Sequence, residues 1–433
     1  MNYNKQIEAN IIACLLTDNS TLSVVEDIIS TADFYLLEHK LMFEKLSKMI
    51  NEGKKVDLML LDDTLKTLDY YQEAGGLSYL AEIMRDLPTV TNAKAYADVV
   101  KKKSIQRSLE ETTSKRVNSE DDPESYIEEL ERELDQIKNN LADKEDFIVK
   151  PEQSLTHLLN KYDDMCEKGT DISGISTGYE SLDYVINGLN PGKMIVVGAR
   201  PGMGKTAFSL NIANHVAESD KSVLFFSLEM EHDEIAERML AMKSRISYKK
   251  ITRALIEEHE WGPLGLKMNE YKKSNFFVVD RPGITCHDLR YFIKTHVKKY
   301  DLGLVIIDYM QLMKEPRLSR NRVQEVSYIS MELKNIAKEF KVPIIALSQL
   351  NRSLENRENK RPQLSDLRES GSIEQDADII MFLYRDDQYY DEAIQGLAEI
   401  SISKNRGGEN KILSFNFEGE FVTFKENKQE IRF

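Results

Sequence analysis

The chain has 433 residues, 41% of them hydrophobic and 30% charged, with a formal net charge of −15. Those proportions exclude a disordered, collagenous or membrane-embedded polypeptide, and the length suits about two to three domains of ~150 residues. The acidic balance excludes a protein coated in basic surface, yet a local basic groove can sit inside an acidic whole. Cys14, Cys166 and Cys286 lie far apart without a CxxC pair, which reads as a thiol-reducing setting with no zinc site. The N-terminus carries no secretory signal and no long apolar run appears anywhere. A cytoplasmic protein with no membrane partner is expected.

Residues 1 to about 100 read as helical. "QIEANIIACLL" sets Ile7, Ile11, Ile12 and Leu15 at helical spacing, "HKLMFEKLSKMINEG" repeats the pattern up to Gly53, and "YQEAGGLSYLAEIMRDLP" gives another helix closed by Pro88. From 101 to 150, Ile127, Leu130, Leu134, Ile137 and Leu141 recur on a charged background. This is one stripe on long helices, read as a hairpin turning near Asp122-Pro123. The range 1–150 is therefore a small all-α domain. A helix carrying Leu155, Leu158, Leu159 and Tyr162 follows, within a linker spanning 151–173. Its apolar face needs a home on its own body or on a neighbouring subunit.

Beyond Gly174 strands and helices alternate. The expected strands are Met194–Gly198, Ser222–Leu228, Phe276–Asp280, Leu304–Asp308, Pro343–Ser348, Ile379–Tyr384, Ala398–Ser403 and Ile412–Phe417. The central ones are near-continuous apolar runs, as in strands covered on both faces, so 174–433 is a doubly wound α/β domain.

"VVGARPGMGKTAFSLNIA" raises the question of a phosphate-binding loop. The window Ala199-Arg200-Pro201-Gly202-Met203-Gly204-Lys205-Thr206 fits GxxxxGK[ST] except that alanine opens it. A buried strand precedes it and a helix with Phe208, Ile212 and Val216 on one face follows. That order points backbone N–H groups and a helix N-terminus at phosphate oxygens. Lys205 is placed for the β- and γ-phosphates, and the Thr206 hydroxyl for Mg²⁺. A methyl group at Ala199 is tolerable if φ stays negative. Asp308 closes the strand in "LGLVIIDYMQL", where the metal-side aspartate belongs, against the reading of a mere strand cap. Glu229 ends "SVLFFSLEM", suited to a general base for attack on the γ-phosphate or simply to a surface position. Gln349 closes "PIIALSQ" and could sense that phosphate.

Two basic segments leave carboxyl ends of strands, where ligands bind in open α/β sheets. One holds Lys314, Arg317, Arg320 and Arg322, the other Arg357, Lys360, Arg361 and Arg368 with Gly371. Such loops suit a threaded phosphate backbone, though solvated loop charge accounts for them equally simply. Lys404 and Arg406 stand two apart near the end of a strand, so that in a ring they could reach a neighbour's γ-phosphate.

In order, these elements resemble the replicative DNA helicases of the DnaB family. The likeness covers the N-terminal part through "ADFYLLEHKLMFE" (32–44), "GGLSYLAEI" (75–83) and "AYADVV" (95–100). It covers the ATPase part through "GISTGYESLD", "ARPGMGKT", "SLEM", "VIIDYMQLM", "ALSQLNRSLENR", "DLRESGSIEQDAD" and "KNRGG". RecA-type recombinases share the phosphate loop but not "LRESGSIEQDAD" with this flank. The family also accepts alanine at the first loop position. The resemblance implies a RecA-like P-loop domain behind a helical collar. It implies a homohexameric ring that hydrolyses ATP with Mg²⁺ at subunit interfaces and moves 5′→3′ on single-stranded DNA at a fork. It places Lys205, Thr206, Asp308, Glu229 and Gln349 on the ATP-bearing subunit, and Lys404 and Arg406 in trans. Arg368, Glu369 and Gly371 match a loop on the DNA backbone. The helix at 151–166 matches one that docks on the adjacent subunit, and primase and a helicase loader are the implied partners. A RecA-like strand-exchange filament and an ATP-gated platform for primase are the alternatives.

Overall fold

The computed structural model describes residues 2–66, 76–85, 89–114, 149–367 and 371–427. The chain divides into two compact units, Met1–Gln153 and Ser154–Phe433.

The first unit is helical throughout its described residues. Asn4 caps its opening helix, Lys5–Thr17, by accepting the Ile7 N–H at 3.2 Å. That helix is buried from Glu8 through Leu16 rather than on one stripe. It lies at the centre, against Leu37–Asn51, Gly76–Arg85 and Ala93–Ser114. The cost of burying Glu8 is met by three partners. Its carboxylate accepts the N–H groups of Tyr35 and Leu36 at 2.9 and 3.3 Å and meets His39 Nδ1 at 2.9 Å. The other ring nitrogen of His39 meets the Tyr79 hydroxyl at 2.7 Å. Helix Ala93–Ser114 runs through the start of the expected hairpin; the Asp122-Pro123 turn and the 127–141 stripe lie outside the described residues.

Helix Pro151–Lys168 carries Leu155, Leu158, Leu159 and Tyr162 between 41% and 61% exposed. Among the described residues no helix is long and apolar enough to cross a membrane.

The second unit is built on one nine-stranded sheet with the order β3-β2-β4-β5-β1-β6-β7-β8-β9. β1 (Met194–Ala199), β2 (Ser222–Ser227), β3 (Phe276–Asp280), β4 (Leu302–Asp308), β5 (Ile344–Gln349) and β6 (Ile379–Tyr384) are parallel. β1, β2 and β6 are buried from end to end, as strands covered on both faces must be. Alternate residues of β1 serve two separate cores. Ile195, Val197 and Ala199 join one, and Met194 and Val196 the other. The strand starting at Pro343 begins one residue later, and the one ending at Leu228 stops at Ser227. The larger departure is that the sheet does not stay doubly wound. β7 (Leu397–Asn405), β8 (Lys411–Glu418) and β9 (Thr423–Glu426) add an antiparallel meander. The link from β6 to β7 has no α-helix to carry the chain back across the sheet, so β7 returns antiparallel beside β6.

The meander is locked to the helix Lys205–Glu218 by aromatic rings. Phe208 is fully buried, with its centroid 5.7 Å from Tyr179, 6.1 Å from Phe415 and 5.5 Å from Phe424. Phe208→Ala should destabilise the second unit by about 3–5 kcal/mol in denaturant titration, the usual cost of an aromatic truncation in a core. A loss below about 1 kcal/mol would mean that this cluster does not carry the packing of the helix.

Candidate nucleotide-hydrolysis site

The opening alanine of the loop is explained by its position. Ala199 is the last residue of β1, paired with Gln349 of β5 and buried, and its φ is not positive. The left-handed turn comes later, at Gly202 (φ 82°) and Gly204 (φ 97°). A Cβ on Gly204 would also stand 3.0 Å from the Phe424 ring. Glycine is needed at these two positions and not at 199. Met203 is buried and Pro201 exposed. Arg200 is buried, with Nε donating to Glu355 at 2.8 Å and Nη1 to the Leu350 carbonyl at 2.8 Å. It braces the loop against the segment following β5.

Helix Lys205–Glu218 starts directly behind Gly204, so its first N–H groups face the loop. Thr206 Oγ1 donates to Asp308 Oδ2 at 2.6 Å. Lys205 Nζ lies 3.6 Å from Asp308 Oδ1 and 4.4 Å from the centre of the Tyr309 ring. Burial holds the Lys205 ammonium below the usual lysine range, against the opposing pull of Asp308 and Glu229. Asp308 is 1% exposed and its Oδ1 makes no hydrogen bond. A hydroxyl beside a buried, unbonded carboxylate oxygen is a donor set that fits Mg²⁺.

Glu229 follows two residues after β2 and is exposed. Pairing of Ser227 with Asp308, and the Leu228 N–H donated to the Asp308 carbonyl at 2.9 Å, bring it to the same edge of the sheet. Gln349, opposite Ala199, completes that edge. The five side chains of Lys205, Thr206, Asp308, Glu229 and Gln349 therefore share the carboxyl edge of β1, β2, β4 and β5.

Lys404 and Arg406 do not join them. β7 runs against β6, so Lys404 pairs with Ile380 near the beginning of β6. Its ammonium donates to the carbonyls of Glu374, Gln375 (3.3 Å) and Ala377 (2.7 Å) at the end of the helix Gly371–Asp376. Arg406 donates to the Gln375 carbonyl and lies 3.9 Å from Asp378 Oδ1. Asp378 follows Ala377, and its N–H donates to the Met194 carbonyl. Both cations thus sit at the opposite edge from the loop, about 16 Å away by the ~3.3 Å rise per residue along β1.

The two basic segments are not free cationic patches. Arg322 is bound to Glu325 at 2.6 Å and to the Gln311 carbonyl, whereas Arg320 is exposed. Arg357 pairs with Asp366, Arg361 with Glu399 and Asp386, and Lys360 lies over the rings of Tyr389 and Tyr390. The Arg361 pairs join segments distant in sequence, and together with Arg357–Asp366 they account for much of the second segment's charge without a ligand. Arg368 and Glu369 lie outside the described residues, and Gly371 is exposed at the start of its helix.

Three neighbours of the site were not anticipated. Tyr309 lies under Lys205, and its only signal is its adjacency to Asp308. Gln311 bonds both Ser348 and Gln349. Arg385, just past β6, is buried over the Phe417 ring at 4.7 Å. It donates to Asp387 at 2.8 Å and, more loosely, to the Gly202 carbonyl at 3.4 Å. A cleft of ≈ 360 Å³ opens beside Tyr309, Gln311, Gln349 and Asn351.

Comparison with known proteins agrees on both units. The DnaB-like helicase C terminal domain matches residues 174–426, and the DnaB-like helicase N terminal domain matches residues 1–102. A replicative DNA helicase of Bacillus subtilis, DnaC, is 38% identical over 97% of this chain and 94% of its own length. A solved DnaB-like replicative helicase, described with its interactions with primase, superposes with a TM-score of 0.76 at 29% identity, covering 97% of this chain and 99% of its own. A solved ATPase domain superposes with a TM-score of 0.60 at 36% identity over 63% of this chain and 98% of its own. With two domain matches and a relative more than a third identical over nearly its full length, the chain belongs to the DnaB-like helicase family.

Proposed function

We propose that this chain is a replicative DNA helicase: a homohexameric ring that couples ATP hydrolysis to 5′→3′ movement on single-stranded DNA and opens a duplex at the fork. Residues 1–150 form its collar, 151–173 its linker and 174–433 its motor. The observation that carries the reading is the division of one catalytic set between two edges of the sheet. Lys205, Thr206, Asp308, Glu229 and Gln349 occupy one edge and Lys404 and Arg406 the other. A guanidinium cannot span that separation, so these two cations serve a neighbouring subunit's site, and a ring supplies every site with such a neighbour. A strand-exchange filament is disfavoured by the helical N-terminal domain and by relatives that are replicative helicases along their whole length.

The loop from Ala199 through Thr206 surrounds the triphosphate, with N–H groups of the loop and helix start facing its oxygens. Lys205 meets the β- and γ-phosphates. Thr206 and Asp308 would hold Mg²⁺, which when bound neutralises charge on the phosphate oxygens. Glu229 takes the proton of the attacking water, and its exposed position leaves it open to that water. Gln349 senses the γ-phosphate from the next strand end. Lys404 and Arg406 of the adjacent subunit release the helix-end carbonyls and stabilise the charge built up during transfer. Arg320, Arg322, Arg368, Glu369 and Gly371 track the DNA backbone, with Arg322 also a clamp within its loop. Primase is a partner, in keeping with the solved relative described with its interactions with primase; the collar is its docking place, and a loader protein delivers the ring.

Glu229→Gln should keep ATP binding within about threefold and lower turnover about a hundredfold or more, measured by a fluorescent nucleotide and phosphate release. Full retained hydrolysis would move the base elsewhere. Mixing Arg406→Ala subunits with Lys205→Ala subunits should restore hydrolysis that neither has alone, because some interfaces then carry an intact loop and an intact arginine. No recovery at any mixing ratio would refute the trans role. Nucleotide affinity should also depend on pH through Lys205. Its pKa is held below the ordinary lysine value by burial, so the cation is lost as pH rises through that depressed value. Affinity should fall on the alkaline side before an ordinary lysine titrates. A titration curve flat up to pH 10.5 would contradict this.

A further inference from the structure

β4 and β5 pair from Val305↔Ile344 to Ile307↔Ala346 and no further. β5 nevertheless continues to Gln349, still paired with β1. The Leu350 N–H donates to Ala199, so by strand alternation the peptide groups of Gln349 face the other way, where no β4 residue meets them. The side chain of Gln311 takes the missing strand's place. Its Oε1 accepts the Gln349 N–H at 3.3 Å, and its Nε2 donates to the Gln349 carbonyl at 3.3 Å and to Ser348 Oγ at 2.8 Å. One amide thus closes both polar groups of the Gln349 backbone, and this complementarity also fixes which end of the amide is oxygen.

The same residue is tied to the basic loop that follows β4. Its carbonyl accepts from Arg322 Nη2. Arg322 Nη1 donates to Glu325 at 2.6 Å, and Glu325, 3% exposed, accepts the Glu315 N–H at 3.0 Å. Gln311 is therefore the junction between the β5 tip and both ends of the 313–321 loop, two residues from Tyr309 and three from Asp308.

We propose that Gln311 is a positioning residue for ATP hydrolysis: it sets the backbone of Gln349 in place of a strand neighbour and links that position, through Arg322 and Glu325, to the loop carrying Arg320. The proposal rests on the reading of Gln349 as the γ-phosphate sensor. A shift of Gln349 toward or away from the nucleotide pulls on an amide that already has its other contacts fixed.

The test is steady-state ATP hydrolysis by the full-length assembled protein with saturating single-stranded oligothymidylate, for Gln311→Met, Gln349→Ala and the double variant. Gln311→Met fills the same volume without the three bonds. It should lower kcat about tenfold while KM for ATP moves less than about twofold, because the defect lies in positioning and not in nucleotide binding. Gln349→Ala should lower kcat by a similar factor, and the double variant should be no worse than the worse single one within about twofold, since both remove one unit. Gln311→Glu keeps the acceptor for the Gln349 N–H but sets a carboxylate oxygen against the Gln349 carbonyl, so its kcat should fall at least as far as that of Gln311→Met. If Gln349→Ala loses activity and Gln311→Met stays within about twofold of the parent, the Gln311 role is overturned and the sensor stands. Losses that multiply in the double variant, or a KM that rises as kcat falls, overturn it too. A Gln349→Ala protein as active as the parent instead removes the sensor reading on which the proposal rests.

Discussion

The site is organised around a carboxylate that has almost no access to water. Asp308, 1% exposed, ends a buried strand in the middle of the sheet. A buried charge of this kind costs several kcal/mol unless paired, and its two partners, Thr206 and Lys205, come from the one helix start that faces it. The pairing is incomplete. Oδ1 keeps no hydrogen bond, and the Lys205 ammonium is itself held below its ordinary pKa by burial. Two partly compensated charges of opposite sign thus stand side by side at the phosphate loop of an ATPase domain.

The rest of the second unit follows from keeping this cluster in register. Parallel pairing through β2, β4, β5 and β1 sets Glu229, Asp308, Gln349 and the loop at one edge because each strand ends there. The antiparallel meander then carries Lys404 and Arg406 back to the other edge. There the carbonyl end of a short helix and Asp378 hold the two cations. The length of a strand thus separates these two cations from the phosphate loop of their own chain. Helix Pro151–Lys168 likewise keeps Leu155, Leu158, Leu159 and Tyr162 exposed.

Side chains also do the work of backbone where the sheet runs out. Gln311 replaces a strand beside Gln349, Arg200 ties the loop to the segment after β5, and Arg385 approaches the outer side of Gly202. In the first unit Glu8 does the same for the turn at Tyr35 and Leu36. In each case a peptide group outside the sheet ladder is met by a polar side chain distant in sequence.

Much of this was legible in the residue order. Apolar runs closing at Asp308 and Gln349 marked strands and the polar side chains at their tips, because a strand covered on both faces must be apolar until it reaches water or a ligand. Gly202, Gly204, Lys205 and Thr206 marked the loop, because few residue types accept that backbone and chemistry at that spacing. The sequence alone thereby determined an α-helical unit, a P-loop unit and the class of ligand. Only the tertiary structure decided that Ala199 is a strand end needing no glycine, that Arg357 and Arg361 are held in ion pairs, and that Lys404 and Arg406 lie a strand's length from their own loop. The reason is physical. Periodicity and loop chemistry are local, whereas strand direction and the partner of a charge depend on which distant segments the folded sheet brings together.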